Sequence, residues 1–263
     1  MNPIDRHYFR FRTEYAIVIG AVISMACARY SIGAGSGDIY EYPVKPGTSE
    51  WKALHSSAEM LKVCQIPEKL LRRMSTAGLV ETVLNYPLYG NIHAHNSLQQ
   101  GFEAVTSQFN GLQELLKRRD AGTVLLSRYR TMDPAVINRK PTSVEKGTVI
   151  WDFENVEILL AQDVILGSFT EKQRQDLIRV TLEKYQAKKL TGESGFSIQP
   201  GVSIQCGTAL VLGRALLQEN YLPFKQTQPM DMTPKDFISK CGATSYSTIE
   251  DIAGHTQQFL STK

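Results

Sequence analysis

Apolar residues recur at helical rather than strand spacing along most of this chain. Trp51, Leu54, Ala58 and Leu61 fall three or four positions apart, which places them on one face of a helix. Ile66-Pro67-Glu68 restarts a helix with proline in its first turn, where the missing N–H is harmless, and Leu70, Leu71 and Met74 share its face. Thr76 precedes Leu79, Val80, Val83 and Leu84, and Tyr86-Pro87 ends that run because proline disfavours helical geometry in its predecessor. Ser97 with Gln100 forms a capping-box pattern ahead of Leu98, Phe102, Val105 and Phe109, a stripe expected to end at Asn110-Gly111. Leu112, Leu115 and Leu116 come next. Asp120 then opens a segment with Val124, Leu125, Tyr129 and Met132 that Asp133-Pro134 closes. Six short helices are expected between Ser49 and Met132.

A polar stretch from Ala135 to Gly147 reads as a linker and a subdomain boundary. The helical pattern resumes at Trp151, Phe153, Val156, Leu159 and Leu160. Thr170 with Gln173 is a second capping box, leading Leu177, Ile178, Leu182 and Tyr185 as far as Lys188-Lys189. After a break from Thr191 to Gly201, Ala209, Leu210, Leu212, Leu216 and Leu217 are apolar on more than one side, the pattern of a buried central helix. The last pieces begin at Thr233-Pro234 and at Ser247, where Glu250 completes a capping box before Ile252, Phe259 and Leu260. Only Phe196-Ser197-Ile198 and Val202-Ser203-Ile204 alternate with period two. The fold class is therefore all-α, an irregular multi-helix bundle or array of short helices with room for one small β-hairpin. Its organisation is an N-terminal helical subdomain at 48–134 and a C-terminal one at 135–263 packed on the first.

The start of the chain follows a different logic. Arg6, Arg10 and Arg12 precede an apolar run from Tyr15 to Met25 and then Ala26-Cys27-Ala28. Glu14 and Arg29 bracket about 14 uncharged residues, short of the roughly 20 a spanning helix needs, so residues 1–28 read as a signal peptide. Two outcomes are open. Ala26 and Ala28 fit cleavage after Ala28, whereas Ser24-Met25-Ala26-Cys27 is a weak lipoprotein box that would make Cys27 a lipidation site. Residues 29–47 then form a flexible tether and extended lead-in, because Ser31-Ile32-Gly33-Ala34-Gly35-Ser36-Gly37 offers little to bury. This glycine string lacks the Lys-Ser/Thr ending of a phosphate loop.

Composition narrows function without naming it. With 42% hydrophobic and 21% charged residues, the chain is ordinary for a globular protein. Removing three arginines against Asp5 and Glu14 lowers the formal net charge from +3 to about +2, far from a nucleic-acid footprint. The local run Lys117-Arg118-Arg119 closes a helix, where it complements the dipole in solvent. Without Cys27 three cysteines remain, Cys64, Cys206 and Cys241, which is no disulfide framework; one bridge, Cys206 with Cys241, is conceivable.

Tyr42-Pro43-Val44-Lys45-Pro46-Gly47 with Trp51 resembles the opening of a family of secreted bacterial proteins of uncharacterised function. The runs Cys64-Gln65-Ile66-Pro67-Glu68, Met74 to Leu88, Gly101-Phe102-Glu103-Ala104-Val105 and Phe109 to Leu116 resemble that family as well. The similarity is close over Tyr42 to Pro134 and loose beyond. It implies a bacterial, exported, helical protein and transfers no catalytic residue.

Four constellations carry candidate chemistry. His93 and His95 offer two imidazoles to a metal, but two ligands make no zinc site, and a solvent-exposed loop is the preferred reading. Glu154, Glu157 and Asp163 could pair carboxylates for glycan hydrolysis, against the expectation that they form the wet face of a helix. Cys206, near a helix start, with Gln199 before it and His255 downstream, has the residue types of an extracytoplasmic thiol hydrolase. Tyr86, Tyr89, Phe109 and Asn110 are candidate contacts in a groove that binds a protein, peptide or glycan. The non-catalytic binding module is the preferred reading and the thiol hydrolase the alternative. No cofactor and no nucleic-acid partner are expected, and membrane contact only through the signal or a lipid anchor. The expected location is secreted or extracytoplasmic.

Overall fold

A computed structural model describes residues 38–191, 204–226 and 246–263. Among these residues the protein is all-α, an array of helices with no strand. The hairpin expected around Phe196 to Ile204, the helix expected at Thr233-Pro234, and Cys27, Gln199 and Cys241 lie outside the described residues, apart from Ile204 itself. The chain divides into two compact units: one comprises residues up to Asn96 with Gln100–Lys117, the other Ser97–Gln99 with Arg118–Lys263.

The first unit contains α1 (Ser49–Lys52), α2 (Ser57–Val63), α3 (Glu68–Leu71), α4 (Thr76–Leu84), a 3-10 turn (Tyr89–Ala94), most of α5 (Leu98–Gln108) and α6 (Asn110–Leu115). The single helix expected from Trp51 to Leu61 is two, because each has its own cap: the Thr48 side chain accepts from the Trp51 N–H, and that of Ser56 from the Glu59 N–H. The stripe ending in Phe109 also breaks one residue earlier than expected. Phe109 is extended and serves as the N-cap of α6, so Asn110 opens a helix instead of closing one.

Two polar seams hold this unit. At its beginning, both Asp38 carboxylate oxygens accept from Ser75, the N-cap of α4, and the Tyr40 N–H donates to Thr82 Oγ1 at 3.0 Å. Tyr42 Oη reaches the Thr82 carbonyl at 3.2 Å. The lead-in thus lies along α4, and Gly78 is required there, since a Cβ would collide with the Asp38 carbonyl. In the second seam two amide side chains replace missing backbone partners. Asn110 accepts from the Ile66 N–H at 3.1 Å and donates to the Ile66 carbonyl at 2.7 Å. Gln65 accepts from the Asn110 N–H at 3.1 Å and donates to the carbonyls of Leu61 and Gln108.

The second unit contains α7 (Ala121–Thr131), a 3-10 turn (Pro134–Arg139), α8 (Ser143–Leu160), α9 (Asp163–Ser168), α10 (Glu171–Leu190), α11 (Cys206–Gln218), α12 (Leu222–Gln226) and α13 (Tyr246–Ser261). The stretch expected as a linker is mostly helical, because Asp133 caps the 3-10 turn and the Thr142 side chain accepts from the Glu145 N–H to start α8 early. The Thr170 and Gln173 capping box forms as expected. Side-chain pairs set the helix directions. Lys188 reaches Thr208 and Arg174 reaches Glu219, so α10 and α11 are antiparallel. Lys189 pairs with Glu250 and Lys263 with Glu171, so α13 runs against α10. Its first eleven residues, Cys206 to Leu216, are all buried, which makes α11 the central helix.

Replacing Asn110 with Ala orphans both the Ile66 N–H and its carbonyl. The expected loss is about 2–4 kcal/mol of stability, read from urea unfolding followed by circular dichroism. A loss below about 0.5 kcal/mol contradicts a seam that replaces backbone pairing.

Candidate functional site

The sequence-derived candidates are mostly spent inside the fold. Tyr86, Tyr89 and Phe109 are buried, and the rings of Tyr86 and Phe109 stack with centroids 3.8 Å apart. They are core, not groove contacts: rings in mutual contact bury more apolar surface than either would against water. Burial also raises the Tyr86 and Tyr89 hydroxyls well above their ordinary values. Asn110 is half-buried and bonded to Ile66. His93 and His95 lie not on an open loop but at the end of a 3-10 turn. His93 is partly covered, and desolvation lowers its pKa to about 4, whereas His95 is exposed. Among the described residues no three His, Cys, Asp or Glu side chains gather as a metal-binding group.

Cys206 and His255 occupy opposite ends of the central helix. Cys206 is the first residue of α11 and is buried. The far end closes where Asn220 takes a positive φ of 55° and the Tyr221 N–H donates to the Leu216 carbonyl at 3.1 Å. That turn delivers Tyr221 and Phe224 to α13, where the His255 ring meets them edge-on at 6.4 and 5.6 Å between centroids. A helix of 13 residues rises roughly 18 Å between its ends. His255 is half-buried among aromatic rings, and the thiol–imidazole contact that a thiol hydrolase requires is not formed. The other thiol among the described residues, Cys64, is also buried, and desolvation pushes its pKa up to about 12, which leaves it unreactive.

The ionisable cluster that does form joins α7, α8, α10 and α11. Lys188 and Glu157 make an ion pair at 2.7 Å with both side chains wholly buried. The Lys188 ammonium donates to Glu157 Oε1, to Thr208 Oγ1 at 2.9 Å and to the Ile204 carbonyl at 3.2 Å, and it sits 4.8 Å from the centre of the Phe153 ring. All three of its protons are used. Tyr129 donates to the same Glu157 oxygen at 2.6 Å, and its hydroxyl stays well above the ordinary range because it is buried beside that carboxylate. Gly207 supplies the space: a Cβ there would collide with Glu157 Oε2.

Glu154 and Glu157, expected on a wet face, are therefore both interior. Their helix is covered by α7, α11 and the 3-10 turn and has no solvent side at these positions. Asp163 is apart from them, exposed at the start of α9. A sequence signal for the cluster exists. Phe153, Glu157 and Leu160 are spaced at four and three residues, as are Thr181, Tyr185 and Lys188, so Glu157 and Lys188 each stand on an apolar stripe.

Chemically this cluster can hold charge in the dry core and fix helix register. Lys188→Met leaves a buried carboxylate without its cation and is expected to destabilise the protein by about 3–5 kcal/mol in urea unfolding. Adding Glu157→Leu to that variant is expected to restore most of the loss. If the two substitutions instead add, the two groups are not coupled.

In comparisons with family models, curated proteins and solved structures, the chain matches none.

Proposed function

We propose that this chain is an exported bacterial helical module that works by binding a protein, peptide or glycan partner and not by catalysis. The observation that carries the non-catalytic reading is the separation of Cys206 and His255 along α11, which removes the one nucleophile–base pair its residue types offered. The other reactive groups are consumed by packing: Glu157 and Lys188 by each other, and Tyr86 by Phe109.

Support for export comes from the order of residues at the start: basic, apolar, small, then glycine-rich. The resemblance of Tyr42 to Pro134 to secreted bacterial proteins points the same way. Its motifs meet in the fold, since Gln65 and Ile66 of one bond Asn110 of another.

One experiment addresses both halves. Protein from its native cell is treated with iodoacetamide without denaturant and examined by mass spectrometry. The expected result is a chain that begins at Arg29, or at a lipid-bearing Cys27, with Cys206 unalkylated. An intact Met1 contradicts export, and rapid selective alkylation of Cys206 at neutral pH contradicts the non-catalytic reading.

A further inference from the structure

The buried cluster of the second unit holds two carboxyl groups and one ammonium. Glu157 takes Lys188 at 2.7 Å and Tyr129 at 2.6 Å, both on Oε1, while its Oε2 is buried with no hydrogen-bond partner among the described residues. Glu154, one turn earlier on α8, is also buried, yet no ion pair or hydrogen bond to its carboxyl is found among the described residues. One ammonium neutralises one carboxylate. A second negative charge on a buried residue one turn from the first would have no cation of its own among the described residues, which favours taking up a proton.

We propose that Glu154 is a proton-loaded position: its carboxyl is neutral in the folded chain and ionises in the unfolded chain, so mildly acidic surroundings tighten the second unit and alkaline ones loosen it. The neighbours agree. Lys188 of α10 and Glu157 of α8 are the charges that act on Glu154. Lys184 of α10 caps the carbonyls of Arg130 and Met132 and is influenced by Asp133, Glu183, Lys188 and Glu157. Asp133, ahead of the 3-10 turn, pairs with Arg139. From α7 comes Tyr129, already bonded to Glu157. From α11 come Thr208, Cys206, and Arg214, which is bonded to the Ala161 carbonyl. Asp163 of α9 is exposed. None of these supplies Glu154 with a second cation.

Burial raises the Glu154 pKa to about 7, with Lys188 opposing and Glu157 adding to the rise. The sign follows from linkage. Between an unfolded value of about 4.3 and the folded value, the folded chain holds one more proton, so its stability falls as pH rises through this window. Below the window the carboxyl is neutral in both states. Above it the whole penalty is present.

The test is urea unfolding of the full chain and of Glu154→Gln at pH 5 and pH 8. Gln is neutral at both, so the unfolding equilibrium constant of the wild type relative to the variant is expected to rise roughly 50- to 100-fold from pH 5 to pH 8. A ratio that does not change, or a variant relatively less stable at pH 8, overturns the proposal, the latter because ionised Glu154 would then be stabilising. A measurement on the wild type covers the case of a variant that does not fold. In the native chain, side-chain carboxyl 13C spectra of labelled glutamates should contain one group titrating near pH 7. All glutamates titrating below pH 5 would overturn it equally.

Discussion

Withdrawing a lysine ammonium from water costs several kcal/mol unless every proton finds an acceptor in the right direction. Lys188 meets that condition with three different elements: a carboxylate on α8, a hydroxyl on α11 and the carbonyl of Ile204 just before α11. Sliding or rotating any of these helices by one residue would break at least one bond and strand a charge. The pair therefore specifies register more than it adds net stability, because hydrophobic residues of similar size could fill the same volume.

Other features of the second unit follow from it. The carboxylate must come close to the first turn of α11, so position 207 is a glycine. Cys206, beside that turn, is enclosed as part of the packing rather than presented to a substrate. Glu154 inherits the difficulty, since the one buried ammonium near it among the described residues is committed to Glu157. The first unit solves its own problem by different means. Its helices are short and leave many backbone ends, and neutral amides on Gln65 and Asn110 satisfy several of them without any buried charge.

Helical periodicity made the all-α class legible, and the Thr170 and Gln173 box located a helix start well, because caps are local interactions. Breaks were less legible. The Ser56 cap lies inside a continuous apolar stripe, and whether Asn110 ends one helix or opens another depends on Ile66, 44 residues away. The buried cluster was hardest to read. A Lys-Lys pair at a helix end reads as solvated, and acidic residues on a long helix read as its wet face, yet position on the stripe outweighed residue type for Lys188 and Glu157. The Cys206 and His255 pairing failed for a related reason: residue types in order say nothing about which end of a helix each occupies.

Lysine acylation under native conditions tests the dry, fully bonded ammonium most directly, because the adjacent Lys189 is exposed and serves as an internal reference. After brief treatment with an N-hydroxysuccinimide ester and peptide mass spectrometry, Lys189 should be modified while Lys188 stays unmodified until urea unfolds the chain. Modification of Lys188 in the folded protein at the rate of Lys189 would contradict a core organised around a buried charge.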